Sequence, residues 1–576
     1  PARLLAAVLV ALAAAALVGW ALVTLEAARS GVRIEHGVLA SGVPFTVYRP
    51  VAAGSTDRRP AVVLAHGFAG SQQLMQPGAL ALARAGMVAL TFDFPGHGRH
   101  GRPLPGSLRE HDALLASLLG ALEQAAAHAR ALPFADGRIA VLGHSMASDL
   151  VLRHALAHPD TLATVGVSLV YGGASGQAPA NLLAIYGSLE PDALQAFARR
   201  LIAGDADPAS VRPGTTYGRF EDGSARRLAL ARGAEHIGVL YSPEALREAR
   251  EWLAAAFAAR PLPAPVQPAA GVDAPDAPAG SRAGTAPAPE TLDHPRADPA
   301  RAGPDPVLAP YGLPLLVLLS ALVALGWPLA IAARVVLTPT AGRRRFFDEH
   351  ARSSFADSAR SARARRLWWV AALAPALITP LLLKVGPSGF VPVLVADHLL
   401  LHFLVYGLLA FAGLLMLVRG GHLPRPAVAP LPARVLIVAT ALIAYATLAC
   451  GLAIDRYGFN LAPADGRGML IAAMGIATLA WFLSEAWLAT APCAPRAAGV
   501  ATRAAFLFSL ALSVALDFRG LFFLLIILPA ILALFLVQGL LARWATQATG
   551  RAWIGALGGA IAFAWAVAVT FPAVRA

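Results

Sequence analysis

The chain has 576 residues, 57% of them hydrophobic and 14% charged, with a mean hydropathy of +0.60. A soluble globular chain carries about 25% charge, so a wholly soluble protein is excluded, and two cysteines exclude a disulfide scaffold. The formal net charge is +13, but residues 31–260 hold 21 Arg against 19 Asp and Glu, while 334–366 hold nine Arg against three acids; an excess placed beside hydrophobic spans marks a cytoplasmic membrane flank and excludes a nucleic-acid surface.

The chain opens on Pro1 rather than Met, and its start is expected upstream. The apolar run Leu4–Leu25 has 22 residues without a charge, enough to cross a ~30 Å hydrocarbon core. It is too long for the ~7–15-residue core of a signal peptide, and Glu26-Ala27-Ala28-Arg29 offers no small-residue cleavage site. Residues 1–30 therefore read as an uncleaved anchor. Residues 31–260 alternate short apolar runs with helical patterns, the mark of β/α units. They contain enough strands to fold alone. Residues 261–308 are dense in Pro and Ala and form a tether reaching about 3 Å per residue. Residues 309–576 are a polytopic membrane domain.

Within 31–260 the chemistry lies at strand ends. Ala61–Ala65 is followed by His66-Gly67-Phe68, and Val88–Phe92 by Asp93-Phe94-Pro95-Gly96-His97-Gly98. Arg138–Leu142 leads to Gly143-His144-Ser145-Met146-Ala147, and a helical pattern follows through Leu150, Val151 and His154. A strand, G-x-S-x-small and a helix make a nucleophile elbow, whose small residues let the backbone turn sharply under an exposed serine. Ala147 stands where glycine is usual and adds one methyl. The next strand, Ala163–Val170, runs into Tyr171-Gly172-Gly173 without a carboxylate. Leu182–Tyr186 ends in Gly187-Ser188-Leu189-Glu190-Pro191-Asp192, and Arg227–Ala231 leads to Gly233-Ala234-Glu235-His236. About ten residues separate Tyr171 from Leu182, too few for a lid.

These motifs, in this order and each after a strand, resemble the α/β-hydrolase superfamily over about residues 31–260. By eye the nearest branch is the dienelactone-hydrolase and acyl-peptidase-like group. The resemblance implies a mostly parallel sheet flanked by helices, here joined to a polytopic α-helical membrane domain. It implies Ser145 as nucleophile and His236 as general base. Glu190 occupies the acid position of G-x-x-D, with Asp192 as the alternative. The backbone N–H groups of Phe68 and Met146 would form the oxyanion hole. No cofactor and no metal are expected. The expected substrate is an ester or thioester, acyl or lipid-like. The competing readings are a peptidase of the same fold, and a transport or sensing protein using the fold as a binding module.

The other polar residues have structural readings. His66, His97 and His144 belong to packing or loop hydrogen bonds. His111, His128, His154 and His158 fall on helical patterns and are expected in solvent. Asp149 suits the first turn of a helix.

The membrane half is not recognised as any family. Its expected spans are 313–336, 367–385, 391–418, 433–453, 468–490, 497–516, 519–541 and 552–571, nine with the anchor. The span 497–516 contains Arg503, and a re-entrant reading of it with the next span would move the C-terminus to the other face. Arginines at 337–366, 419–434 and 543–551 place those loops in the cytoplasm. The hydrolase half then lies on the extracytoplasmic side of the inner membrane, in contact with the bilayer. Cys450 and Cys493 fall at opposite faces and do not pair. His398 and His402, four apart on one helix face beside Asp397, are candidates for a metal or a proton path, against a structural role. Glu485 is a second intramembrane candidate.

Overall fold

The computed structural model describes residues 2–51, 58–105, 111–170, 178–261, 310–337, 362–385, 393, 395–423 and 432–574. Most of the tether, the Arg-rich loop and Tyr171-Gly172-Gly173 lie outside the described residues.

The chain begins with α1 (Ala2–Arg29). Then come β1 (Val32–Val38), β2 (Pro44–Pro50), β3 (Arg59–Ala65), α2 (Gln76–Arg84), β4 (Val88–Phe92), α3 (His111–Ala131), β5 (Ala135–His144) and α4 (Met146–Ala157). They are followed by β6 (Thr161–Val167), β7 (Leu182–Gly187), α5 (Asp192–Ala203), β8 (Thr216–Tyr217), β9 (Arg226–Ala231) and α6 (Pro243–Ala259). The strands form one sheet in the order β1-β2-β4-β3-β5-β6-β7-β9-β8. It is parallel from β4 to β9 and antiparallel at both margins. Central strands are apolar on both faces, as parallel strands covered by helices must be. In β3, Val62 and Leu64 face α2 and α6, while Ala61, Val63 and Ala65 face α3 and α4. The period of two puts successive side chains into separate cores.

The second half is helical: α7 (Gly312–Leu337), α8 (Ala362–Lys384), α9 (Ala396–Arg419), α10 (Ala433–Tyr457), α11 (Gly468–Ala489), α12 (Ala498–Leu516), α13 (Phe518–Thr549) and α14 (Ala552–Thr570). With α1, nine helices among the described residues are long and apolar enough to cross a membrane. The expected span 519–541 is a helix of 32 residues, because its C-terminal part meets no breaker before Gly550, which adopts φ 70° and caps it. Helices approach closely at small residues: a Cβ on Gly407 would lie 2.5 Å from the backbone of Ala480, and one on Gly413 2.6 Å from Ala371 Cβ. Around them Phe403, Trp481, Phe506, Phe535 and Phe563 form a buried aromatic cluster.

The two halves share a core. Leu25 and Ala28 of α1, Tyr311, Leu315 and Leu318 at the start of α7, and Tyr457 pack with Leu74, Met75 and the α2 and α6 residues. Polar contacts join the same ends to the loops after β3 and β4. Arg467 donates to the carbonyls of Ala568 (2.8 Å), Phe571 (2.7 Å) and Gly96 (2.9 Å). Ala573 N–H donates to Gly96 O (2.9 Å) and Leu104 N–H to Ala573 O (2.8 Å). Arg99 Nε donates to Asn460 Oδ1 (3.0 Å), and Asn460 N–H to Ser71 Oγ (2.8 Å). Gly96, at φ 75°, is glycine by necessity, since a Cβ there would strike Ala573 O.

The C-terminal segment meets the sheet-bearing half at the same bundle end as residues 29, 312 and 457–467. The expected span 497–516 is one continuous helix of 19 residues, α12, long and apolar enough to cross a membrane. Arg503 is tolerated inside α12 because its Nε lies 3.3 Å from Glu485 Oε1 and its Nη1 donates to Phe535 O (2.9 Å).

Candidate active site

The β5–α4 turn sets the serine. Ser145 sits at φ 53°, ψ −117°, a conformation strained for any residue with a side chain. Gly143 permits it, because a Cβ there would strike Ala147 O. Ala147 is fully buried, so the extra methyl has room. The strain holds Ser145 Oγ at the C-terminal edge of the sheet.

Two further strand ends complete a hydrogen-bonded line. His236, on the loop after β9, places Nε2 2.9 Å from Ser145 Oγ and Nδ1 2.6 Å from Glu190 Oε1. Glu190, on the turn after β7, is buried. Its other oxygen accepts from Gly187 N–H (2.7 Å) and Ser168 Oγ (2.9 Å). Both carboxylate oxygens are thereby occupied, which fixes the carboxylate plane and keeps the proton of His236 on Nδ1. Nε2 is left to accept from the serine. Asp192 does not join this line. It is exposed at the start of α5 and accepts from Gln195 Nε2 at 3.3 Å. Glu235 accepts from the N–H groups of Ile237 (2.9 Å) and Gly238 (2.6 Å) and stiffens the turn that carries His236.

The loop after β3 runs against the serine: a Cβ on Gly67 would lie 3.0 Å from Ser145 Cβ. Phe68 follows this close approach of Gly67, and Met146 follows the serine directly at the start of α4. The neighbouring histidines hold this loop. His66 Nδ1–H donates to Gly67 O (2.8 Å), and its Nε2 accepts from Phe94 N–H (3.2 Å). His97 Nδ1–H donates to Pro95 O at 2.9 Å. His144 Nε2–H donates to the carbonyl of His236 at 2.9 Å. Burial, then the neighbouring His236, pushes the His144 pKa down to about 3, so it stays neutral and keeps this donor. Burial likewise lowers His66 and His97. Asp93 is fully buried and accepts from Gln72 N–H, Gln72 Nε2 (both 2.8 Å) and Arg99 N–H (3.1 Å). It ties the loop after β3 to the loop after β4.

Ser168 is the site residue that sequence reasoning missed. It lies at φ 51° one residue past β6, and no local motif marks it. His154 corrects an expectation: it is buried, with both ring nitrogens unpartnered, rather than in solvent. It follows Leu150 and Val151 by four and three residues and so shares their apolar face. Among the described residues, Glu123, His154 and His158 form a three-ligand group that could hold a metal, far from Ser145 at the other end of α4. His398 and His402 have ring centroids 5.7 Å apart, and His402 Nδ1 lies 3.5 Å from Ser513 Oγ. No third ligand joins them among the described residues. Asp149 pairs with Arg153 in α4 at 2.9 Å.

Residues 56–188 match the family described as serine aminopeptidase, S33. None of the curated proteins matches the chain. Among solved structures, a dienelactone hydrolase from Anabaena variabilis is 17% identical, covering 39% of this chain and 98% of its own, with a TM-score of 0.27. A hypothetical protein from Pseudomonas aeruginosa is 14% identical, covering 39% and 92%, with a TM-score of 0.28. The first half of the chain has the α/β-hydrolase fold, and it is joined to a helical region with several long apolar helices consistent with a membrane domain. Ser145, His236 and Glu190 stand in it as a triad arrangement.

Proposed function

We propose that this chain is a membrane-anchored serine hydrolase that cleaves an ester or thioester, of the dienelactone-hydrolase and acyl-peptidase-like kind. The observation that carries the reading is the line Glu190 Oε1–His236–Ser145 Oγ, with contacts of 2.6 and 2.9 Å. Ser145 Oγ attacks the substrate carbonyl as His236 Nε2 takes its proton. The N–H groups of Phe68 and Met146 receive the developing oxyanion. Collapse of the tetrahedral intermediate breaks the acyl C–O or C–S bond, and His236 returns the proton to the departing alcohol or thiol. Water, deprotonated by His236, then releases the acid from Ser145. Glu190 orients the imidazole and stabilises the imidazolium that forms. The arginines of the loops at 337–366, 419–434 and 543–551 support an extracytoplasmic hydrolase half in a multi-pass inner membrane protein.

The match to a family described as serine aminopeptidase favours one second reading, a peptidase with the same triad. A panel of acyl esters, thioesters and aminoacyl amides, assayed on the full chain with Ser145→Ala as control, separates the two. Ester or thioester turnover lost in Ser145→Ala supports the proposal. Amide turnover with inert esters selects the peptidase. A folded protein inert on all three leaves only the binding module.

A further inference from the structure

The direction of the sheet fixes where the mouth of the site points. β3, β4, β5, β6, β7 and β9 run parallel, so their C-terminal ends share one edge. Two of those ends touch the helical half: Ser71 after β3 accepts from Asn460, and Gly96 after β4 accepts from Arg467 and Ala573. A third does so through the loop that carries His236, where Tyr241 stacks on Tyr311 with ring centroids 6.3 Å apart. Ser145 directly follows β5, next to β3, and therefore opens toward the bundle end. α1 agrees, since it rises from the bundle alongside α2, with Arg29 Nη1 donating to Gln76 Oε1 at 2.8 Å.

The ends of β6 and β7 lie one and two strand spacings beyond β5, about 5 and 10 Å, on the side away from β3 and β4. They lie across Ser145 from the contacts that Ser71 and Gly96 make with the helical half. Exposed aliphatic side chains stand at and beside these ends: Val170 after β6 is 45% exposed, Leu189 after β7 66%, and Ile237 on the loop after β9 36%. Leu189 precedes Glu190 and Ile237 follows His236, so the apolar rim borders the triad itself. Three exposed aliphatics beside the triad, on the sheet edge that faces the apolar helices, match a bilayer surface better than water.

We propose that the mouth of the Ser145 site rests on the bilayer and that its substrate is an amphiphilic lipid acyl ester drawn from the adjacent leaflet. This rests on the serine-hydrolase reading for its chemistry but not for its geometry. The acyl chain leaves the leaflet along Val170, Leu189 and Ile237, and the ester carbonyl arrives at Ser145 Oγ while the headgroup stays in water.

The test reads location separately from activity. In the full chain, with Cys450 and Cys493 replaced by serine, bimane is placed at Leu189→Cys and, as reference on the opposite sheet edge, at Asp160→Cys. The protein is reconstituted in phosphatidylethanolamine/phosphatidylglycerol vesicles carrying lipids with a nitroxide near the headgroup. The expected result is strong nitroxide quenching at 189 and little at 160. Quenching at 189 by aqueous iodide alone, or by neither agent because protein covers it, overturns the proposal. In parallel, Leu189→Asp lowers turnover of a bilayer-embedded ester, relative to a short soluble ester, by roughly tenfold; an unchanged ratio also overturns it. Lack of turnover in a protein that shows the expected quenching refutes the hydrolase reading and leaves the geometry standing.

Discussion

In the hydrolase half, buried polar groups converge on one point: Glu190 is held by Gly187 and Ser168, His236 by Glu190, and Ser145 by His236. Inside the helical bundle several pair off locally and stop. Glu485 meets Arg503 and Thr502, and the hydroxyls of Thr478 and Ser484 return to helix carbonyls. The first pattern leaves a serine hydroxyl aimed outward with a base beside it. The second neutralises charge inside an apolar bundle, where an unpaired ion is costly. Burial of polar groups alone therefore does not locate a site; the direction in which their hydrogen bonds run does.

The sharpest way to break this comparison is to remove the end of the line. Ser145→Ala and His236→Ala should each lower ester turnover by roughly 10⁴–10⁶-fold. Glu485→Gln should leave turnover within about threefold, because it lies at the far end of the bundle. Glu190→Gln should cost roughly 10²–10⁴-fold, and Asp192→Asn almost nothing. The reverse order for the two carboxylates would reassign the acid.

How much was legible in the sequence follows from the range of each signal. Ser145, Glu190 and His236 could be read because each closes a strand within a few residues of a recognisable turn. Ser168 could not, since its partner is brought by a different strand and its own φ is set by the fold. The junction was illegible too: Gly96, Arg467 and Ala573 meet only after both halves have folded. The expectation that residues 31–260 stand alone rested on a full set of strands. It did not foresee that Leu25, Tyr311, Leu315 and Tyr457 complete one of the two cores. His154 was readable and misread, for its place beside Leu150 and Val151 outweighs its polarity.

The junction supplies two smaller predictions. Arg467→Ala takes this donor from the carbonyls of Ala568 and Phe571 and one of two donors from Gly96 O, and should destabilise the chain by about 2–4 kcal/mol, seen as a lower Tm in detergent. Turnover should fall with it, because the loop after β4 loses its hold on the loop after β3. An unchanged Tm would show that the halves are tethered rather than docked. Residues 31–260 expressed alone should likewise melt below the full chain, and equal Tm values would show that they fold independently.

The smallest expected effect is on pH. Burial and the neighbouring His158 lower the His154 pKa to about 4, against an ordinary value of 6.5. The unfolded chain then binds a proton that the folded chain refuses. Stability from this residue is present above pH 6.5 and is lost as pH falls toward 4, by at most about 1.4 kcal/mol per pH unit. His154→Leu should flatten the fall of Tm across that window. If instead the wild-type Tm rises with added Zn²⁺ and that of His154→Leu does not, a metal occupies the Glu123–His154–His158 group.

The central claim is that the fold presents Ser145 as a nucleophile activated by His236, and covalent trapping tests it most directly. The full-length protein in membranes is treated with a fluorophosphonate, digested, and the adduct mapped by mass spectrometry. The adduct should sit on Ser145, vanish in Ser145→Ala and form far more slowly in His236→Ala. A folded protein that takes no label, or one whose label sits on another residue and persists in Ser145→Ala, would contradict it.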